Sequence, residues 1–276
     1  MKGGVMVKGF IYNGKSTKNI IPSSELILGT FNNSDSVTGH QRDNIIGDTT
    51  ISRPIANEYG TQYQSLEIEY GIIKKDKTPF TDAEQRTIET WLTSPKISQK
   101  LYFYDCDNKK NEEFYCGKFT KTDWYPCAGG FAGAMFTFTN NSAYPMFSFS
   151  KDYTISTTSN FTINCETDEL EEYIYPKITI TSSTSATFEI INKSDNSNSM
   201  KISAQKNLPM VFDCKNCIPK DGTTSGIFTY QDLGWTDVSN IYWLRFLPGT
   251  NNLTVNGTGK LKLEFDYPYK KVGGWL

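Results

Sequence analysis

The chain is short of most things that chemistry needs. Among 276 residues there is one histidine, His40, and six cysteines. That is too few thiols for a disulfide scaffold, and they are spread through both halves, so they read as reduced and mostly buried. Cys214-Lys215-Asn216-Cys217 is the one Cys-x-x-Cys; without a second close pair it falls short of the four ligands of a structural zinc site. Charge of one sign is also missing. Residues 1–148 carry 16 basic and 16 acidic groups and residues 149–276 carry 12 and 14, so neither half has the cationic excess that holds nucleic acid. No run approaches the roughly 18 apolar residues that span a bilayer, which argues against a membrane partner, and the opening MKGGVMVKGF has no signal-peptide core. The expectation is a soluble protein made and kept without secretion.

Catalytic constellations are absent by the same reading. A Ser-His-Asp triad would need His40, yet no Gly-x-Ser-x-Gly elbow occurs. The acidic run Glu166, Asp168, Glu169, Glu171 and Glu172 lacks the mid-loop glycine and ligand ladder of a calcium loop and reads as a solvated loop. Ala128-Gly129-Gly130 marks a bulge or a close backbone approach, because no helix follows for an anion to sit against. The expectation is no enzyme, no metal and no cofactor.

What is present is β-structure. Aromatic residues make up 14% of the chain, a bias toward pleated, half-buried surfaces. Tyr63 to Asp105 organises the first half. Leu66, Ile68 and Tyr70 alternate with Glu67 and Glu69, the period of a strand buried on one side. Thr81 and Glu84 form a capping box; Ile88, Trp91 and Leu92 make one apolar stripe; Pro95 stops the helix, predicted over 82–94. Strand resumes at Leu101. Upstream, Tyr12-Asn13-Gly14-Lys15 is a hairpin turn. Downstream, strands are expected at Phe114–Trp124 and Gly133–Phe138. From Thr154, nine short strand-like segments without helical period point to an antiparallel sandwich, with Ile178, Ile180, Phe188, Ile190, Leu261, Leu263 and Phe265 facing inward. Length favours two domains, 1–148 and 149–276, with Asn140–Tyr153 as the boundary.

Taken in order, Phe10-x-Tyr12-Asn13-Gly14, the strand–helix–strand ending Leu101-Tyr102-Phe103-Tyr104-Asp105, Ala143-Tyr144-Pro145, Phe188-Glu189-Ile190-Ile191-Asn192 and Leu247-Pro248-Gly249-Thr250-Asn251 resemble the distal tail protein family of long-tailed bacteriophages and related prophage tail particles. The resemblance implies a mainly β chain with an N-terminal β-barrel-like domain that closes a hexameric ring and a C-terminal galectin-like β-sandwich. It implies a structural role at the virion tail tip, after assembly in the bacterial host cytoplasm. The partners implied are further copies of the chain, the tail tube protein, the end of the tape-measure protein, and tail-tip and receptor-binding proteins.

Two sets of surface residues follow as expectations. Ile72, Ile73 and Phe80 flank the charged turn Lys74–Lys77 without an obvious core partner, so they either form the subunit contact or tuck under the helix. Trp124, Trp235 and Trp243 are the candidates for carbohydrate or partner contact. They motivate the rival reading, a carbohydrate-binding sandwich for host cell-wall recognition. Against it, the His-x-Asn-x-Arg strand of sugar-binding galectins is missing. A tail tube protein is a further structural reading, and the long second domain argues against it.

Overall fold

A computed structural model describes residues 7–29, 41–47, 56–105, 112–237 and 241–270. Among the described residues the chain is mainly β with one helix, and it divides into two compact units, one reaching Met146 and taking back Lys270, the other Phe147–Tyr269.

In the first unit the strands β1 (Val7–Tyr12), β2 (Lys15–Ser16), β3 (Leu26–Gly29), β6 (Glu67–Lys74), β7 (Gln99–Asp105), β8 (Glu113–Cys127) and β9 (Gly130–Asn140) pair in the order β3-β6-β9-β8-β7-β1-β2. Two further strands, β4 (Arg42–Ile46) and β5 (Glu58–Tyr63), form a separate sheet of their own. The two ends of the main sheet meet: Leu26 N–H donates to Thr17 O at 2.9 Å, so the sheet curls back on itself around one core. Aromatic residues fill that core. Phe119 makes edge contacts with Tyr12, Tyr70, Phe136 and Phe138, and Phe10 stacks on Trp91 at 5.3 Å.

The helix α1 (Asp82–Thr93) begins at the expected capping box, with Thr81 and Glu84 satisfying each other's amides. It buries Ile88, Trp91 and Leu92, and Trp91 Nε1–H donates to Tyr12 O at 2.9 Å. A core indole needs such an acceptor, and the carbonyl beside the Asn13-Gly14 turn supplies it. Asn13 and Gly14 both take positive φ, 46° and 71°, as a tight hairpin turn demands.

The second unit is a sandwich. One sheet runs β16 (Ile218–Asp221), β15 (Pro209–Asp213), β12 (Lys177–Ser182), β18 (Gly259–Pro268), β10 (Met146–Ile155); the other runs β11 (Thr158–Cys165), β17 (Gly249–Asn256), β13 (Thr187–Asn192), β14 (Asn198–Ser203). All seven expected inward residues of this half are buried, drawn from both sheets, and they share one core with Ile163, Met200, Ile202, Leu253 and Val255.

Three expectations need correcting. Residues 146–153, read within a boundary segment, are strand β10. Their Phe147, Phe149 and Tyr153 alternate and stack on Tyr267, Phe265 and Phe161, so the period of two outweighs the polar residues between them. Two of the nine strand-like segments, Gly226–Gln231 and Ile241–Gly249, make only single bridges, Ile227 to Lys220 and Phe246 to Ile174, apart from the last residue Gly249, which opens β17. The second of these buries Leu244 and Phe246, while its Arg245 and Leu247 backbone groups are met by asparagine side chains. Of the five described cysteines, Cys165 and Cys214 are buried, whereas Cys127 and Cys217 are exposed.

Candidate assembly surface

Lys74 ends β6 facing inward. It is only 4% exposed, and its Nζ reaches Glu84 Oε2 at 2.8 Å and Pro79 O at 3.0 Å. Glu84 also accepts from Thr81 N at 2.8 Å and from Ser23 Oγ. Burial alone would raise the Glu84 carboxyl; the hydrogen bonds from Lys74, Ser23 and Thr81 outweigh it and hold the group down at about 2. One carboxylate therefore ties β6, the segment before β3 and the start of α1 together.

This arrangement decides the fate of the nominated contact residues. Ile72 and Phe80 are fully buried: Ile72 lies in the core, and Phe80 bridges Phe131 and meets Trp124 edge-on at 5.5 Å. They tuck inward, and the premise that they lack a core partner fails for both. Ile73 points the other way. It is half-buried, sits opposite Ile27 of β3, and neither residue packs against the core. Glu25 borders this apolar pair, held by Lys8 and Lys75 at 3.1 Å each.

The β4–β5 hairpin is exposed along every residue. Its root is tied by Gln64 N–H to Gln41 O at 3.0 Å and by Tyr63 meeting Tyr144 edge-on at 5.4 Å. Away from the root Ile45, Ile46 and Tyr59 are 47%, 63% and 67% exposed. Its alternation has no buried face, so patterning alone does not mark the hairpin as a contact surface.

The three nominated tryptophans belong to different units. Trp124, in the first unit, donates Nε1–H to Glu89 Oε1 at 2.6 Å and packs on Phe80, Phe131 and Phe136. Trp235 and Trp243 do meet in the second unit, edge to face at 5.2 Å, with Trp235 Nε1–H donating to Lys201 O. Both are half-buried against the sandwich core.

Reactive groups stay apart. Among the described residues no group of three or more His, Cys, Asp or Glu side chains could hold a metal ion. His40 lies outside the described residues. Burial pushes the Cys214 thiol well up, and Cys217 Sγ–H points at the Cys214 carbonyl, 3.8 Å away. Glu166, Asp168, Glu171 and Glu172 are exposed. A surface recess of about 490 Å³ beside the Asn13-Gly14 turn is rimmed by Lys15, Arg86 and Thr90 and holds no acid–base pair.

The strongest polar cluster was not anticipated. Asp195 is buried and accepts from Arg245 Nε at 2.8 Å, Arg245 Nη2 at 3.2 Å and Tyr242 OH at 2.5 Å. The Arg245 guanidinium, foremost, holds the Asp195 carboxyl below its usual range. The same guanidinium stacks 3.9 Å over Tyr173. Beside it Asn192 donates to Arg245 O and to Asn251 Oδ1, while Asn251 donates to Leu247 O and Gly249 O and accepts from Leu247 N. Every partner is internal, so the cluster fixes the turn at Pro248-Gly249.

Two family models, described as the phage tail protein N-terminal domain and the phage tail C-terminal domain, match residues 6–142 and 146–267. The chain belongs to this phage tail protein family. No curated protein matches the sequence. Among solved structures, the Dit protein (gp 19.1) of phage SPP1, described as a paradigm of the hub adsorption apparatus in Gram-positive infecting phages, is similar over 95% of this chain and 98% of its own, with 14% identity and a TM-score of 0.61. Two structures of the phage p2 baseplate in its activated conformation, with calcium and with strontium, each have 9% identity to this chain. They cover 97% and 98% of it and the whole of the matched chains, at TM-scores of 0.58 and 0.55. At these identities the likeness is one of fold. The phage tail protein described here shares that fold over both of its units.

Proposed function

We propose that this tail protein is a distal tail hub: copies of the first unit close a hexameric ring at the end of the tail tube, and the second unit, a galectin-like sandwich, docks further tip proteins. The observation that carries the reading is the fold likeness to the SPP1 Dit protein across nearly the full length of both chains. A ring is one heterologous interface repeated until it closes, and it needs surfaces on two sides of the protomer but no reacting group. The internal use of Glu84, Asp195 and Arg245 fits that requirement. The Trp residues offer the carbohydrate reading little, since all three are spent partly in packing.

Light scattering on purified protein, alone and mixed with the tail tube protein, tests this. Closed six-fold rings in negative stain are expected. Strict monomers at high concentration, with and without the tube as template, overturn it.

A further inference from the structure

We propose that the β4–β5 hairpin is an arm with which each copy grips the next, laying Ile46 and Tyr59 over the Ile27–Ile73 patch of a second copy of this chain. The proposal rests on the ring reading and names the contact within it.

A two-stranded hairpin is marginal in water unless something covers one of its faces. Here both faces are bare, the root alone is fastened, and three large apolar side chains stand in solvent beyond it. Ile45 pairs with Gly60 and Ile46 pairs with Glu58, the register slipping by one residue between them. That slip twists the tip and leaves Tyr59 as the extra residue. Among the described residues none covers these groups, and a partner surface would.

The same chain carries a surface that fits. On the outer side of β3–β6, Ile27 and Ile73 make a partly buried apolar pair bordered by Glu25, Lys8 and Lys75. Two ammonium groups share one carboxylate there, so the border is net positive, and Lys75 is 60% exposed. The arm brings Glu58 beside Ile46. An apolar centre with a complementary charged rim is the anatomy of a specific interface. A heterologous contact requires both halves on one protomer, and this chain has both, which is why the occupant is a second copy rather than an unrelated protein.

Two measurements test it. Replacing Ile46→Asp and Tyr59→Asp together leaves the circular dichroism and thermal midpoint near wild type, because both positions are exposed. It is expected to raise the concentration at which rings dissociate by about thirtyfold or more, the effect of losing one interface hot spot. Installing the photo-crosslinker p-benzoylphenylalanine in place of Tyr59 is expected to link it to the peptide of another copy that contains Ile27 or Ile73. Rings that survive the double substitution at unchanged concentration, or cross-links that map elsewhere, overturn the arm and leave the ring standing. Wild-type protein that never forms rings, even on the tail tube, removes the ring and the arm together.

Discussion

At Lys74 an ammonium group has left water and depends on one carboxylate. Removing that charge without changing shape, Glu84→Gln, leaves the buried Lys74 ammonium without a counter-charge and is expected to lower stability by about 3 kcal/mol in urea denaturation. The pH dependence has a definite sign. Glu84 sits at about 2 when folded against an ordinary 4.5, so its stabilisation is complete above about 4.5 and is lost as pH falls toward 2. Denaturation midpoints at pH 7, 4.5 and 3 should fall more steeply for wild type than for Glu84→Gln; parallel curves would remove Glu84 from the account. The capping role of Glu84 was legible, since Thr-x-x-Glu ahead of an apolar stripe has one common meaning. The inward aim of Lys74 was legible too, in principle. Ile68, Tyr70 and Ile72 alternate inward, and Lys74 is the next even position; only its charge suggested solvent. The same alternation buries Ile72, so the period of two outranks any inference drawn from a charged neighbour.

Between elements, the chain uses glycine and asparagine where strands cannot supply hydrogen bonds. A Cβ added at Gly130 would lie 2.1 Å from the Phe80 carbonyl, and the residue has φ +140°. Gly130→Ala should therefore disturb the Phe80–Phe131 bridge and cost at least about 1 kcal/mol, read as a lower thermal midpoint. The close approach expected of Ala128-Gly129-Gly130 is real at Gly130, while Ala128-Gly129 forms the turn between β8 and β9. In the sandwich, Asn251→Ala strips the donors and acceptor that hold Leu247 and Gly249. A loss of about 2 kcal/mol is expected, followed through tryptophan fluorescence. Here the sequence misled in one respect. Ile241 to Phe246 alternates like a strand, yet its backbone makes one bridge, Phe246 to Ile174, with asparagine amides meeting Arg245 O and Leu247 N beside it, and no periodicity in the segment itself records a partner at Asn192 or Asn251.

For the whole molecule, two units with separate cores give a thermodynamic expectation. Calorimetry should resolve two transitions, with Glu84→Gln lowering one and Asn251→Ala lowering the other. A single transition shifted equally by both substitutions would show one cooperative body instead. The mainly β architecture could be read from alternation because that signal is local. The arm could not, because a hairpin exposed on both faces has no buried period to betray it, and its meaning depends on a molecule that the sequence does not contain. The join between arm and barrel adds a mechanical consequence. Only Gln64 to Leu66 separate β5 from β6, and Leu66 is clamped by its own amide to Ser142 O at 3.2 Å and by Asn140 N–H to its carbonyl at 2.9 Å. A pull on β5 would travel through three residues into the main sheet before any slack could absorb it, so in the contact proposed above a force on one copy would pass directly to the next.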